Sequence, residues 1–420
     1  MDIVIRRENM NFLLLFLFLF CCLLYSCETV NEDVKHIRRR SKIMSKVKFD
    51  GMLHGDHNYT LPFFNDVINT QPRKIACYYV WNRMKNGTLM PNDIDPNICT
   101  HILLGFSSVF NSTLVPPLPE DIKGYEMVIA LKKNNPNLKV MLSAGGGKGF
   151  SEASYSAENR TKFINSIFEL LNEYGFDGFD IDWEFPAWDG LPAMDRINFV
   201  LLLKEFRLAD KQDKYLLSVA VAAPKTIIDV SYDIPNMAKY VDFVNLMAYD
   251  YHDYSWYMPF TGHNSPLFKR SIEKAYFSTL NTAWSAQYWV AEGLPKSKLL
   301  VGIPTYSHSY KLAVPYMHGF DAPAVGTGLG ELSYSQVCDF LNNGAIRVFD
   351  GESEVPYAYK NLDWVGYDDV QSVVMKAMWI KKMGFGGAMT FDLNNDDWKG
   401  TCDNRTKFVL HQTLKNILIN

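Results

Sequence analysis

The chain has 420 residues, 48% of them hydrophobic, enough to bury a large core, and a single barrel domain of about 250 residues or more with additions fits that length. Its 42 Lys and Arg against 46 Asp and Glu leave a formal net charge of -4. That balance gives no basic footprint for DNA or RNA, so nucleic acid is not an expected partner.

Residues 12–25, FLLLFLFLFCCLLY, form an uninterrupted apolar run behind Arg6 and Arg7. This is the pattern of a signal peptide or of an N-terminal signal anchor, and either one directs the rest of the chain into the secretory pathway. Leu24 and Tyr25 stand where a cleavage site wants small residues, which favours a retained anchor. Lys35, Arg38, Arg39, Arg40 and Lys42 lie on the side where the positive-inside tendency disfavours them, which argues the other way. Residues 1–27 are therefore read as signal or anchor, with the remainder extracellular or held on the lumenal side of a membrane. Residues 28–72 are charged and polar without sustained periodicity and read as a linker or stalk. Cys21, Cys22 and Cys27 border the apolar run, so Cys77, Cys99, Cys338 and Cys402 are left to form two disulfides, with three pairings possible. Sequons at Asn58, Asn86, Asn111, Asn159 and Asn404 agree with the same compartment.

From residue 73 to 420, short β-rich runs alternate with longer amphipathic stretches. KIACYYV (74–80), THILLGF (100–106), LKVMLSA (138–144) and FDGFDID (176–182) are followed by runs beginning near 215, 242, 299 and 386. Between them, segments such as 158–174 and 195–209 carry apolar residues at spacings of three and four. Apolar strands separated by helices indicate a parallel sheet covered on both faces, and eight such units predict a closed α/β barrel of the (β/α)8 TIM type. The interval from 306 to about 368 is too long for one loop. With AIRVFDG and VPYAYK inside it, it predicts a small α+β insertion between the seventh and eighth strands.

The most informative stretch is FDGFDIDWEFP at 176–186. Strand side chains alternate, so Asp180, Asp182 and Glu184 share one face and Phe179, Ile181 and Trp183 the other. In the fourth strand of a closed barrel the acids have no open edge to face and must point inward. Like charges buried together raise at least one pKa, and a carboxyl kept protonated is what a general acid needs. Glu184, the outermost, lies at the C-terminal end where barrel enzymes place their chemistry, and is the expected proton donor. Asp180 and Asp182 as a metal pair is set aside, because neither a Gly-rich phosphate loop nor a second ligand cluster accompanies them.

At this point the chain resembles the family 18 glycoside hydrolases, the chitinases and their non-catalytic relatives. The resemblance rests on Asp177, Asp180, Asp182 and Glu184 in the fourth strand and SAGG at 143–146. It continues through Met247, Ala248, Tyr249 and Asp250 on the sixth strand, TGHNSPL at 261–267 and IPTY at 303–306. It implies pairing of Cys77 with Cys99 and of Cys338 with Cys402. It also implies a retaining, substrate-assisted hydrolysis of chitin or other N-acetylglucosamine glycans, with no metal or cofactor. In that scheme Glu184 protonates the glycosidic oxygen, Asp182 orients the acetamido N–H, Asp180 shares a proton with Asp182, and Tyr249 bonds the acetamido oxygen. Tyr78, Phe106, Gly145, Gly146, Gly147, Phe185, Met247, Asp250, Tyr306 and Phe391 are the expected groove residues. Tyr78 and Phe106 serve equally well as core.

Three positions depart from the family pattern. Phe391 stands where active chitinases usually present a Trp beneath the sugar, Gly147 where another Trp often follows the two glycines, and His308 where an Arg is common. Two readings follow: a chitinase with a reshaped groove, or a chitinase-like carbohydrate-binding protein with little turnover. The sequence carries no signal for an oligomeric state.

Overall fold

The computed structural model describes residues 72–81, 88–116, 121–403 and 405–419. The apolar run at 12–25, the linker and the sequons at Asn58, Asn86 and Asn404 lie outside them. Among the described residues no helix is long and apolar enough to cross a membrane.

Eight strands pair in parallel around a closed ring: Lys74–Val80, His101–Phe110, Lys139–Gly146, Gly178–Trp183, Leu216–Ala222, Phe243–Met247, Leu299–Pro304 and Gly387–Phe391. Each bonds to the next, and the first closes on the last through the register Lys74↔Gly387 to Cys77↔Thr390. They are called strands one to eight below. The expected boundaries hold within a few residues, except that strand two runs on past the ring to Phe110, where it folds back onto Thr113–Val115 as a hairpin.

Alternation along each strand makes two apolar layers. In strand one, Ile75, Cys77 and Tyr79 face the surrounding helices, while Ala76 and Tyr78 face the ring interior with Leu103, Met141, Ala220, Phe243, Leu300 and Met389. The helix Ala157–Tyr174 starts where the Ser156 hydroxyl accepts from the Asn159 N–H and stops at Gly175, whose φ of 78° suits a residue without Cβ. Its Phe163 lies edge-on to Phe179 at 6.3 Å, so the outward face of the acidic strand is sealed by helix. The helix Asp195–Ala209 continues the seal, with Phe199 against Trp183 at 5.6 Å. Disulfides join Cys77 to Cys99 and Cys338 to Cys402.

Between strands seven and eight the chain builds the expected α+β insertion. Tyr306–Leu312, Ala324–Gly326, Ile346–Asp350, Val355–Lys360 and Asp363–Gly366 form an antiparallel sheet, with the helix Tyr334–Asn342 beside it. Tyr357 stacks on Trp364 at 5.1 Å in its own small core.

Candidate active site

Strand four divides its side chains as alternation requires. Phe179, Ile181 and Trp183 join the outer layer, and Asp180 and Asp182 lie inside the ring. Asp180 is completely buried and accepts four hydrogen bonds. Tyr78 (2.7 Å) and Ser143 (2.8 Å) donate to Oδ2; Ser218 (2.5 Å) and Asn245 (3.2 Å) donate to Oδ1. Register produces this cradle, because Ser143 on strand three and Ser218 on strand five are the direct lateral partners of Asp180. Burial pushes the Asp180 carboxyl above its usual range while the four donors pull it down, the arrangement that lets a carboxylate ionise out of water.

Asp182, 6% exposed, has no such support: among the described residues its Oδ1 has no hydrogen-bond partner. Burial, then the charges of Glu184 and Asp180, raise it well above the ordinary carboxylate value. Asp180 spends both oxygens on its four donors, so its influence on Asp182 is exerted through space. The hydrogen bond that proton sharing between them needs is not formed. At the strand's end Glu184 reaches solvent, its N–H donating to the Gly146 carbonyl at 2.9 Å. Enough protein surrounds its carboxyl that burial, followed by the charge of Asp250, holds its pKa up as well.

Around this row stands a ring of aromatics. Phe391, half-buried at the end of strand eight, has Tyr78 at 5.6 Å, Tyr306 at 6.1 Å, Tyr249 at 6.2 Å and Phe106 at 6.4 Å between centroids. Tyr78 is thus both core and a donor to Asp180. Tyr249 is nearly buried, and among the described residues its hydroxyl makes a single long contact, 3.9 Å to Met389 Sδ. Burial and the charges of Asp250, Asp182 and Glu184 keep that phenol protonated, and therefore a donor. Met247 packs half-buried against the same inner cluster. Phe185, half-buried, packs against the layer between strands and helices.

Asp250 sits in the left-handed region at φ 58°, its N–H donating to Asn264 Oδ1 at 2.8 Å. Its carboxylate accepts from the Tyr306 hydroxyl (2.6 Å) and lies 2.7 Å from His308 Nε2. Burial alone would lower the His308 pKa, but the hydrogen bond and charge of Asp250, with Asp253 and Glu331, raise it above the ordinary value. His308 is consequently a cation at mildly acidic pH.

Gly145 and Gly146 end strand three and Gly147 follows it, and all three serve the strand end itself. A Cβ on Gly145 would stand 3.0 Å from Phe106, and one on Gly147 would stand 3.3 Å from the Glu184 carbonyl. Gly146, at φ 137°, faces open space. Among the described residues no group of three or more His, Cys, Asp or Glu could hold a metal.

Sequence reasoning gave no role to Ser143, Ser218, Asn245 or Asn264, although Ser143 and Asn264 fall within the SAGG and TGHNSPL runs. The first three were detectable as isolated polar residues at inward positions of apolar strands; Asn264 required the path of the loop.

The profile of the glycosyl hydrolases family 18 matches residues 74–396. Mouse chitotriosidase-1 is 35% identical over 367 residues, covering 82% of this chain and 78% of that protein. Among solved structures, an immunomodulatory active chitinase from Trichuris suis superposes with a TM-score of 0.78 at 34% identity, over 82% of this chain and all (100%) of that one. Human YKL-39, described as a pseudo-chitinase with retained chitooligosaccharide binding properties, gives 0.77 at 36% identity over 82% of this chain and 99% of its own. With a ring of eight strands, an insertion after the seventh and the acidic row in the fourth, this chain belongs to the glycosyl hydrolases of family 18.

Proposed function

We propose that the chain hydrolyses β-1,4 links between N-acetylglucosamine units of chitin or chito-oligosaccharides, by a retaining route assisted by the substrate's own acetamido group. The observation that carries this is the graded burial of the three acids. Asp180 is buried and fully bonded, Asp182 is buried with an unsatisfied oxygen, and Glu184 alone reaches solvent with its pKa raised.

Glu184 delivers its proton to the glycosidic oxygen as the bond to the anomeric carbon breaks. The acetamido oxygen attacks that carbon, giving an oxazolinium ion, and water activated by the Glu184 carboxylate opens it with net retention. Asp182 accepts the acetamido N–H and offsets the positive charge of the ion, while Tyr249 donates to the acetamido oxygen. Asp180, fixed as an anion by its four donors, keeps the proton of the inner pair on Asp182 or Glu184. All these charges are in place before the substrate arrives, so little reorganisation is needed when charge develops.

The test is release of fluorophore from chitobiose and chitotriose glycosides by the wild type and by Glu184→Gln. The variant is expected to lose roughly 10² or more in rate, the usual scale of a general acid. Equal, near-zero rates in both would remove the hydrolase reading.

The second reading, a chitooligosaccharide-binding protein without turnover, is favoured by Phe391, Gly147 and His308, and by the relative described as a pseudo-chitinase. Calorimetric binding of chitotetraose alongside zero hydrolysis would establish it. Both readings place the protein in an oxidising, extracytoplasmic compartment, which the two disulfides support.

A further inference from the structure

Asn111 and Asn159 head the sequons that fall within the described residues, and the fold treats them differently. The hairpin on strand two closes with Phe110 paired to Thr113, leaving Asn111 and Ser112 as a two-residue turn with φ of 50° and 51°. Positive φ at both central positions defines the turn that suits strand twist, and Asn is among the few side chains that tolerate it. At the tip, Asn111 is exposed. The hydrogen bonds it receives end on its main-chain carbonyl, from Lys162 Nζ at 2.8 Å and the Thr113 hydroxyl at 3.3 Å. Among the described residues no hydrogen bond engages its exposed side-chain amide. Immediately before it, Phe110 is 73% exposed, an apolar ring at the end of a projecting loop.

Asn159 is half-buried at the third position of a helix. Its amide donates to the Glu152 carbonyl at 2.8 Å, and its N–H is bound by the Ser156 cap. A bulky, solubilising group needs room and a reachable nitrogen, which the turn offers and the helix start does not.

We propose that Asn111 is an N-linked glycan attachment site, and that it is used in preference to Asn159. The co-reactant is an oligosaccharide carried on a polyisoprenyl diphosphate in the secretory membrane. The bond from the sugar's C1 to the diphosphate oxygen breaks, a bond from C1 to Asn111 Nδ2 forms, the amide loses one proton to the transferase base, and the polyisoprenyl diphosphate leaves. The attached glycan shields Phe110. It stands at the same end of the barrel as Glu184, because strand two runs parallel to strand four and the hairpin continues from its C-terminal end.

The experiment produces the full chain in insect cells and isolates the disulfide-bonded protein. Digestion with peptide N-glycosidase in heavy-oxygen water converts each glycosylated Asn to labelled Asp, which peptide mass spectrometry counts site by site. Asn111 is expected to be labelled in most molecules and Asn159 in few, and Asn111→Gln to lose one glycan-sized step on a gel where Asn159→Gln does not. An unlabelled Asn111 in the disulfide-bonded protein, or label on Asn159 without label on Asn111, overturns the assignment. Neither residue belongs to the groove, so the readout is independent of whether the chain hydrolyses chitin.

Discussion

Ser218→Ala tests whether the cradle around Asp180 holds an anion. The hydroxyl contributes one of four donors to a completely buried carboxylate, at 2.5 Å. A hydrogen bond to a charged group is worth about 1.5–3 kcal/mol, and its loss raises the folded pKa of Asp180 further. The sign of the pH dependence follows from burial. The folded pKa already lies above the unfolded one, so ionising this group costs stability as pH rises from the ordinary carboxylate range through the folded value. Raising the folded pKa further deepens that cost at neutral pH and leaves it small where Asp180 is protonated in both states. Urea unfolding at neutral pH should show Ser218→Ala less stable by about 2 kcal/mol, with the deficit shrinking when the titration is repeated below the ordinary carboxylate range. A deficit of the same size at both pH values, or none at neutral pH, would mean that Asp180 is not ionised in the folded protein.

Phe391→Trp should tighten binding of chitotriose or raise turnover, because the inward sides of residue 391 are already filled by four rings and added area can extend only into the groove; weaker binding by calorimetry would place residue 391 away from the sugar. His308 has a folded pKa raised chiefly by Asp250 against the opposing effect of burial. Its ion pair should add stability that is complete below about pH 6.5, the ordinary His value, and is lost as pH rises through the folded one. His308→Asn should abolish that slope in thermal unfolding followed from mildly acidic to alkaline pH, and an unchanged slope would assign it to another group. Cys77→Ser opens a bridge spanning 22 residues and should lower the unfolding free energy by about 3 kcal/mol in denaturant titrations.

The architecture was legible because its cause is periodic. Inward and outward residues alternate along strands, and the helices at 157–174 and 195–209 repeat at three and four, so runs such as KIACYYV announce both layers at once. The acidic row was legible for the same reason, since Asp180, Asp182 and Glu184 fall two apart. What surrounds that row was not. Ser143, Asp180 and Ser218 stand side by side through the registers of three strands whose mutual offset no single strand encodes. Without that offset the serines look like ordinary filling.

The buried acid and the aromatics around it share a support: Tyr78 donates to Asp180 at 2.7 Å and packs against Phe391 at 5.6 Å. Asp180 is fixed by donors on strands one, three, five and six, all inside a closed ring where a change leaves a buried charge short of a partner. Phe391, Gly147 and His308 lie at or beyond the ends of the barrel strands, held respectively by four rings, by the Glu184 carbonyl 3.3 Å from where a Cβ would stand, and by Asp250. The rate of bond cleavage with a short, soluble substrate, which depends least on distant platforms, is accordingly the measurement that separates a weakened grip from an absent reaction.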